Sequence, residues 1–344
     1  MEQAQPIVET KVIAQKTVYS ILFSIAFAHL LNDMLQAVIP ASYPILKDNY
    51  NLTFTQIGLI TFSYQMAASI LQPFVGLYTD KYPKPFSQIF GMVFTMAGIV
   101  MLAYAASFMM IIAAVIFVGV GSSIFHPEAS RISYLASGGK RGLAQSVFQL
   151  GGNTGSATGP LLVALIVVPN EQYYIIWFVA VAIIAMVVLS RIAFWYRDHL
   201  ELRKNSKPII DLPNLTQKQI VMSVVILLII IFSKFFYSAS MSSYFTFYLI
   251  EKFGVSVQDS QYYLFLFLAA GAIGTLLGGP LGDKFGRKYV IWFSIVGAAP
   301  FTLMLPYADL FWTGVLSVVI GIIISSAFPA ILVYAQELLP KKLG

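Results

Sequence analysis

Gly76-Leu-Tyr-Thr-Asp80-Lys81-Tyr-Pro83-Lys84-Pro85 returns 203 positions later as Gly279-Pro-Leu-Gly-Asp283-Lys284-Phe-Gly286-Arg287-Lys288, each copy at the polar edge of a long apolar run. Upstream, at the same offset, Asp48-Asn-Tyr-Asn-Leu-Thr53 lines up with Glu251-Lys-Phe-Gly-Val-Ser256, just before the run that leads to each motif. The chain therefore reads as a duplicated half-chain, and a repeat of this size dictates the architecture. With 58% hydrophobic and 10% charged residues, the expected arrangement is two membrane-embedded halves around a central pathway.

A bilayer core needs about 20 residues of apolar helix. Ten stretches qualify: Val18 to Leu46, Gln56 to Tyr78, Phe86 to Ala105, Met109 to Tyr134, Leu143 to Val168, Tyr173 to Tyr196, Ile220 to Ile250, Tyr262 to Leu281, Tyr289 to Tyr307 and Leu310 to Leu339. The fold class is all-α integral membrane. Residues 1–196 form a first six-helix half, 197–218 a polar linker, and 219–344 a second half that stops after its fourth helix. The 116 residues from Asp80 to Tyr196, carried over to Asp283, reach about position 399, whereas the chain ends at Gly344. The expectation is a twelve-span plan without its last two spans. The first span exceeds a signal-peptide core and has no small-residue cleavage site, so it stays in the mature chain.

Lys and Arg collect on the cytoplasmic side of spans. With the N-terminus inside, 18 of the 21 basic residues fall there, Lys47 and Lys252 fall outside, and Lys234 lies within the seventh span. Both ends of the chain are then cytoplasmic. The net charge of +6 follows from topology, and basic residues scattered over short loops do not make a nucleic-acid face. Without cysteine, and with three scattered histidines, neither a metal site nor a cofactor is expected. No nucleophile and base stand in a recognisable motif, so an enzyme is not expected either.

Ionisable groups inside a span cost about 2.5 to 3.5 kcal/mol each on insertion scales and mark functional sites by default. His29, Asn32, Asp33 and Gln36 share one face of the first span. As a set they make either a hydrogen-bonded seam between helices or a polar cavity wall, with Asp33 at mid-span. The fourth span ends in Ser122, Ser123, His126, Pro127, Glu128 and Arg131; Glu128 and Arg131 are spaced to pair on one helix face, and Pro127 frees a carbonyl inside the span. Lys234 heads a polar strip with Tyr237, Ser238 and Ser242; it is either a partner for an acid such as Asp33 or Glu128 or a receptor for an anionic substrate. Gln149 and Asn153 follow Gln145 at helical spacing in the fifth span, beside Gly151, Gly155 and Gly159, a small-residue stripe that permits close helix packing.

Gly279-x-Leu281-x-Asp283-Lys284-x-Gly286-Arg287-Lys288 resembles the loop motif of the major facilitator superfamily, and Gly76, Asp80 and Lys81 keep part of it in the first copy, where Pro83-Lys84-Pro85 departs from it. Gly155-Ser-Ala-Thr-Gly159-Pro160 is similar to that superfamily's antiporter pattern, though Leu161 to Ala164 replace the glycines that usually follow and an apolar residue near Val115 stands for the usual arginine. More narrowly, His29-Leu-Leu-Asn32-Asp33, His126-Pro127-Glu128, Gln145-Ser-Val-Phe-Gln149-Leu-Gly-Gly-Asn153 and Tyr334-Ala-Gln-Glu337-Leu-Leu-Pro340 resemble the fosmidomycin resistance protein family. The resemblance implies an inner-membrane exporter that exchanges protons for a small organic compound by alternating access, with phosphonate-type antibiotics among the substrates; the chain is expected to act as a monomer. It also implies a cavity lined by spans 1, 4, 7 and 10. Asp33 is then the first-choice protonation site, Glu128 the second, and His29 and His126 the relays. Asn32, Gln36, Arg131, Gln149, Asn153, Lys234 and Tyr237 face substrate. The gating motif comprises Gly76, Asp80, Lys81, Gly279, Asp283, Lys284, Gly286 and Arg287, with Asp283 near the fifth span and Asp80 in need of an eleventh. The alternatives are a proton symporter that takes up an anionic metabolite, and a membrane receptor or scaffold that does not transport.

Overall fold

A computed structural model describes residues 17–203, 216–328 and 330–331. Among these residues the chain is helical throughout, without strands: α1 (Tyr19–Ala41), α2 (Tyr43–Tyr50), α3 (Phe54–Lys81), α4 (Ser87–Ala103), α5 (Phe108–Ala136), α6 (Arg141–Leu162), α7 (Phe178–Arg203), α8 (Gln217–Phe253), α9 (Val257–Phe285), α10 (Arg287–Val296), α11 (Ala299–Met304) and α12 (Leu310–Ser326). Among the described residues helix runs through each of the ten apolar stretches. Seven helical segments are long and apolar enough to cross a bilayer, and α4 and α12 are shorter apolar helices.

Several spans are less regular than their hydropathy suggests. The first breaks at Ser42, between Pro40 in the last turn of α1 and Pro44 in the first turn of α2, because proline opposes the helix before it and suits the start of the next. The fifth span ends in a π turn, Val163–Val167, and the sixth opens with a 3-10 turn, Gln172–Trp177. The ninth breaks between α10 and α11 at Gly297 and Ala298. Helix α7 runs on to Arg203 and α8 starts at Gln217, so both reach into the expected linker 197–218, of which 204–215 lie outside the described residues. Glu337 and Pro340 also lie outside them.

The 203-residue offset reappears as backbone geometry. Asn51 and Gly254 are both left-handed C-caps, with φ of 49° and 66°. Two residues later Thr53 and Ser256 are both N-caps, whose hydroxyls accept from the amides of Gln56 (3.2 Å) and Asp259 (3.0 Å), satisfying amides that the helix itself leaves free. The two loop motifs differ where their sequences differ. Gly286 is the single residue between α9 and α10, at φ 94°, a conformation only glycine adopts without strain. Pro83 stands at the matching position, and there residues 82–86 separate α3 from α4.

Helix α1 packs along α6, α3 and α4 against α5, and α9 against α12; α6 against α9 joins the first set of helices to the second. The close approaches need glycine: a side chain at Gly151 or Gly155 would strike the α1 backbone at Ala26 or Leu30, and one at Gly274 or Gly278 would strike the α12 backbone at Ile322 or Ser326. Helix α1 also meets α5, where His126 of α5 comes against Asp33 of α1. At the end of the bundle opposite the loop motifs, Tyr43 Oη lies 2.8 Å from Thr61 Oγ1, which lies 3.2 Å from Ser243 Oγ on α8. Phe54 meets Phe247 edge to face beside this hydroxyl chain.

Candidate functional site

Asp33 sits on α1 between two imidazoles. His29, one turn earlier on the same helix, has Nε2 3.2 Å from Asp33 Oδ2; His126, from α5, has Nε2 3.4 Å from Asp33 Oδ1. Sequence separation hid this convergence, and two of the three histidines read as scattered are in fact neighbours, with ring centroids 5.3 Å apart. The three donor atoms lie within 4.8 Å of one another, near enough for protons, or a bound cation, to be shared among them.

The other ring nitrogens fix how those protons are held. His29 Nδ1 is 2.8 Å from the Phe148 carbonyl, and His126 Nδ1 is 3.0 Å from the Ser122 carbonyl. A carbonyl oxygen only accepts, so each Nδ1 is the donor. That leaves each Nε2 facing a carboxylate oxygen, a contact that is attractive only with a proton between them. His29 is held firmly: it is 3% exposed and stacks on Phe148 with centroids 4.0 Å apart. Gly152 makes room for it, since a methyl group there would come within 2.6 Å of His29 Nε2 and 2.8 Å of Asp33 Oδ2.

Amides and hydroxyls extend the cluster along α1. Asn32 Nδ2 donates to Asp33 Oδ1 at 3.1 Å, and Gln36 Nε2 approaches the same oxygen at 3.5 Å. Gln36 Oε1 accepts from Ser122 Oγ at 3.3 Å and, through a shorter bond, from Tyr64 on α3. Tyr64 is the member that sequence reasoning missed. The available signal was a phenol in an apolar helix, whose hydroxyl needs a partner once buried.

Glu128 and Arg131 form a separate cluster further toward the motif end of α5. Arg131 Nη1 donates to Glu128 Oε1 (2.9 Å) and to the Thr79 carbonyl (2.7 Å), and Nη2 makes a short bond to Asp80; Tyr196 Oη is 3.5 Å away. Asp80 of the first loop motif is thus engaged within its own set of helices. Arg131, expected to face substrate, spends its donors on this network. Glu128 is 1% exposed, and its Oε2 is buried with no hydrogen-bond partner among the described residues.

The remaining expected site residues go elsewhere. Lys234 meets neither Asp33 nor Glu128: its ammonium donates to Ser294 Oγ and to the Ile324 carbonyl, both at 2.7 Å. Tyr237 pairs with Thr302 at 3.2 Å. Asn153 reaches across to α9 and donates to Thr275 Oγ1 at 2.7 Å, joining the two sets of helices, and Gln149 is half-buried on α6. Gly76 packs near Pro127, Lys81 and Lys284 are exposed, and the side chain of Asp283, like Gly279, is outside the described residues.

Comparison with known proteins bears on the family and the fold. The family model of the Major Facilitator Superfamily matches residues 25–344. The chain is 54% identical over 345 aligned residues to the fosmidomycin resistance protein of Escherichia coli strain K12, covering all of this chain and 85% of that one. It is 46% identical to the uncharacterized MFS-type transporter YfnC of Bacillus subtilis strain 168, covering 95% and 81%. Among solved structures it superposes on a bacterial homologue of the lysosomal transporter Spinster, inward-facing and occupied, with TM-score 0.71 at 17% identity over 94% of this chain and 75% of that one. A D-xylose-proton symporter gives 0.70 at 15% over 92% and 80%; both likenesses speak to the fold. An all-helical membrane bundle built on a 203-residue repeat, matched along nearly its whole length by the family model, belongs to the major facilitator superfamily, whose members here are transporters and not enzymes.

Proposed function

We propose that the protein exports a small organic compound in exchange for protons, with phosphonates such as fosmidomycin within its range. The observation that carries this reading is Asp33 held between His29 and His126, a carboxylate within a membrane span with an imidazole nitrogen against each of its oxygens. Ionisable groups at such depth serve proton relays and substrate pathways, and histidine titrates near neutrality. Glu128, with its unpartnered oxygen, is the second proton site. Gln36 and Tyr64, both partly exposed, offer the cavity amide and phenol contacts, while Asn32, expected to face substrate, is fully buried and donates to Asp33.

The motif end faces the cytoplasm of the bacterial inner membrane, because most basic residues gather there, and a monomer suffices. Residues 1–196 and 219–344 rock about the segment 197–218. Contacts of Tyr43, Thr61 and Ser243 close the outer mouth, which corresponds to a cavity that opens inward. The test is flux of fosmidomycin in inside-out vesicles. Accumulation when the lumen is acid, and none without a pH gradient, is the expected result; accumulation only when the lumen is alkaline would support uptake by symport instead.

A further inference from the structure

The two oxygens of Asp33 have unequal attachments. Oδ2 belongs to His29, which is stacked, bonded through Nδ1 and boxed in by Gly152. Oδ1 is divided among Asn32 Nδ2 (3.1 Å), His126 Nε2 (3.4 Å) and Gln36 Nε2 (3.5 Å). His126 is 28% exposed on its side chain, against 3% for His29, and it stands on α5 directly before Pro127, where the helix lacks one backbone hydrogen bond. One oxygen is therefore anchored and the other is open to exchange.

Exchange of protons against substrate restricts what can sit there. Antiport requires that a proton and the substrate exclude one another, since by linkage each must weaken the other's binding. A protonated imidazole that received an anion would do the opposite, because protonation would help the anion bind. The fixed cations also have other partners, Arg131 with Asp80 and Glu128 and Lys234 with Ser294 and the Ile324 carbonyl. A carboxylate that receives a hydrogen-bond donor has the required sign, because protonation removes the acceptor.

We propose that Asp33 Oδ1 is an exchange site. The exported compound seats a neutral hydrogen-bond donor, in fosmidomycin its N-hydroxyl and not its anionic phosphonate, on this oxygen in place of His126, which occupies it as a built-in stand-in when no substrate is bound. The inference rests on the export reading above. The titratable groups that reach Asp33 are His29 on its own helix, His126 from α5 and, through Gln36, Tyr64 from α3; α6 presents Phe148 and Gly152 there. Since His126 competes for Oδ1, removing it strengthens substrate binding, which is the reverse of what loss of a substrate ligand would do.

The test is calorimetric binding of fosmidomycin to the purified chain in lipid nanodiscs, in mildly alkaline and mildly acidic buffer. Wild type is expected to bind more weakly in acid, His126→Ala to bind about fivefold more tightly than wild type, as loss of a competing contact worth about 1 kcal/mol would give, and His29→Ala to bind more weakly. Ser122→Ala, which keeps the carbonyl bond to His126 Nδ1 but removes the 3.3 Å contact of the Ser122 hydroxyl with the same nitrogen, carries the same sign as His126→Ala and serves if that variant does not fold. Weaker or unchanged binding in these α5 variants, with wild type binding normally, overturns the exchange and leaves export standing. Failure of wild type to bind the drug in either buffer overturns the export reading and the exchange with it.

Discussion

His29 Nε2 lies 3.2 Å from Asp33 Oδ2, and the ring that makes this contact cannot move without breaking its bond to the Phe148 carbonyl and its stack on the Phe148 side chain. The carboxylate is positioned by a helix packed against its own. That dependence on α6 leads to the first prediction.

Gly152→Ala places a methyl group against both His29 and Asp33. Overpacking of this kind costs about 1 to 3 kcal/mol, and here the strain falls on the proton-sharing contact. The variant should be present in the membrane at near-normal abundance yet lose most pH-driven fosmidomycin flux. Normal flux would mean that the cluster tolerates displacement.

The hydroxyl chain from Tyr43 through Thr61 to Ser243 spans the two sets of helices at the outer mouth. The chain contains no cysteine, so the pair Thr61→Cys and Ser243→Cys can be introduced without background. Cross-linking of the pair should stop transport and reduction should restore it. Full flux through the cross-linked protein would show that the outer mouth does not open at this point.

Arg131 neutralises two carboxylates at once, one of them 1% exposed. Removing one partner of a buried charge pair costs about 3 to 5 kcal/mol, because the remaining charge is left without compensation. Arg131→Gln should therefore lower the thermal midpoint in detergent markedly, and the double variant Arg131→Gln with Glu128→Gln should recover part of the loss. Equal melting of the single variant and wild type would contradict the pairing.

Gly286 turns α9 into α10 in one residue at φ 94°. Any side chain there is strained by about 1 to 3 kcal/mol. Gly286→Ala should lower the melting temperature, while alanine at exposed Lys284 should not; a Gly286→Ala protein as stable as wild type would contradict the one-residue turn.

Much of the fold was legible because a membrane helix must satisfy its own backbone and therefore shows as an uninterrupted apolar run, and because the repeat carried its caps with it, Asn51 with Gly254 and Thr53 with Ser256. The breaks at Ser42 and Gly297 were less visible, since hydropathy averages over a kink. On the polar faces, periodicity placed His29, Asn32, Asp33 and Gln36 together and spaced Glu128 to meet Arg131. It could not reveal which helix would meet them. The approach of His126 to Asp33, the bond from Tyr64 to Gln36 and the capture of Arg131 by Asp80 all depend on helix packing. Lys234 turned toward Ser294 and away from Asp33 for the same reason, because a charge in a span announces a need for a partner without saying where it is.

The most direct test of proton-coupled export is proton movement itself, followed with a pH-sensitive dye trapped in vesicles that hold the purified protein. When a fosmidomycin gradient is imposed and no pH gradient is present at the start, wild type should move protons against the drug flow, and Asp33→Asn, inserted at equal abundance, should move none. Proton movement by Asp33→Asn at the wild-type rate, or drug flow through wild type without any proton signal, would contradict the account.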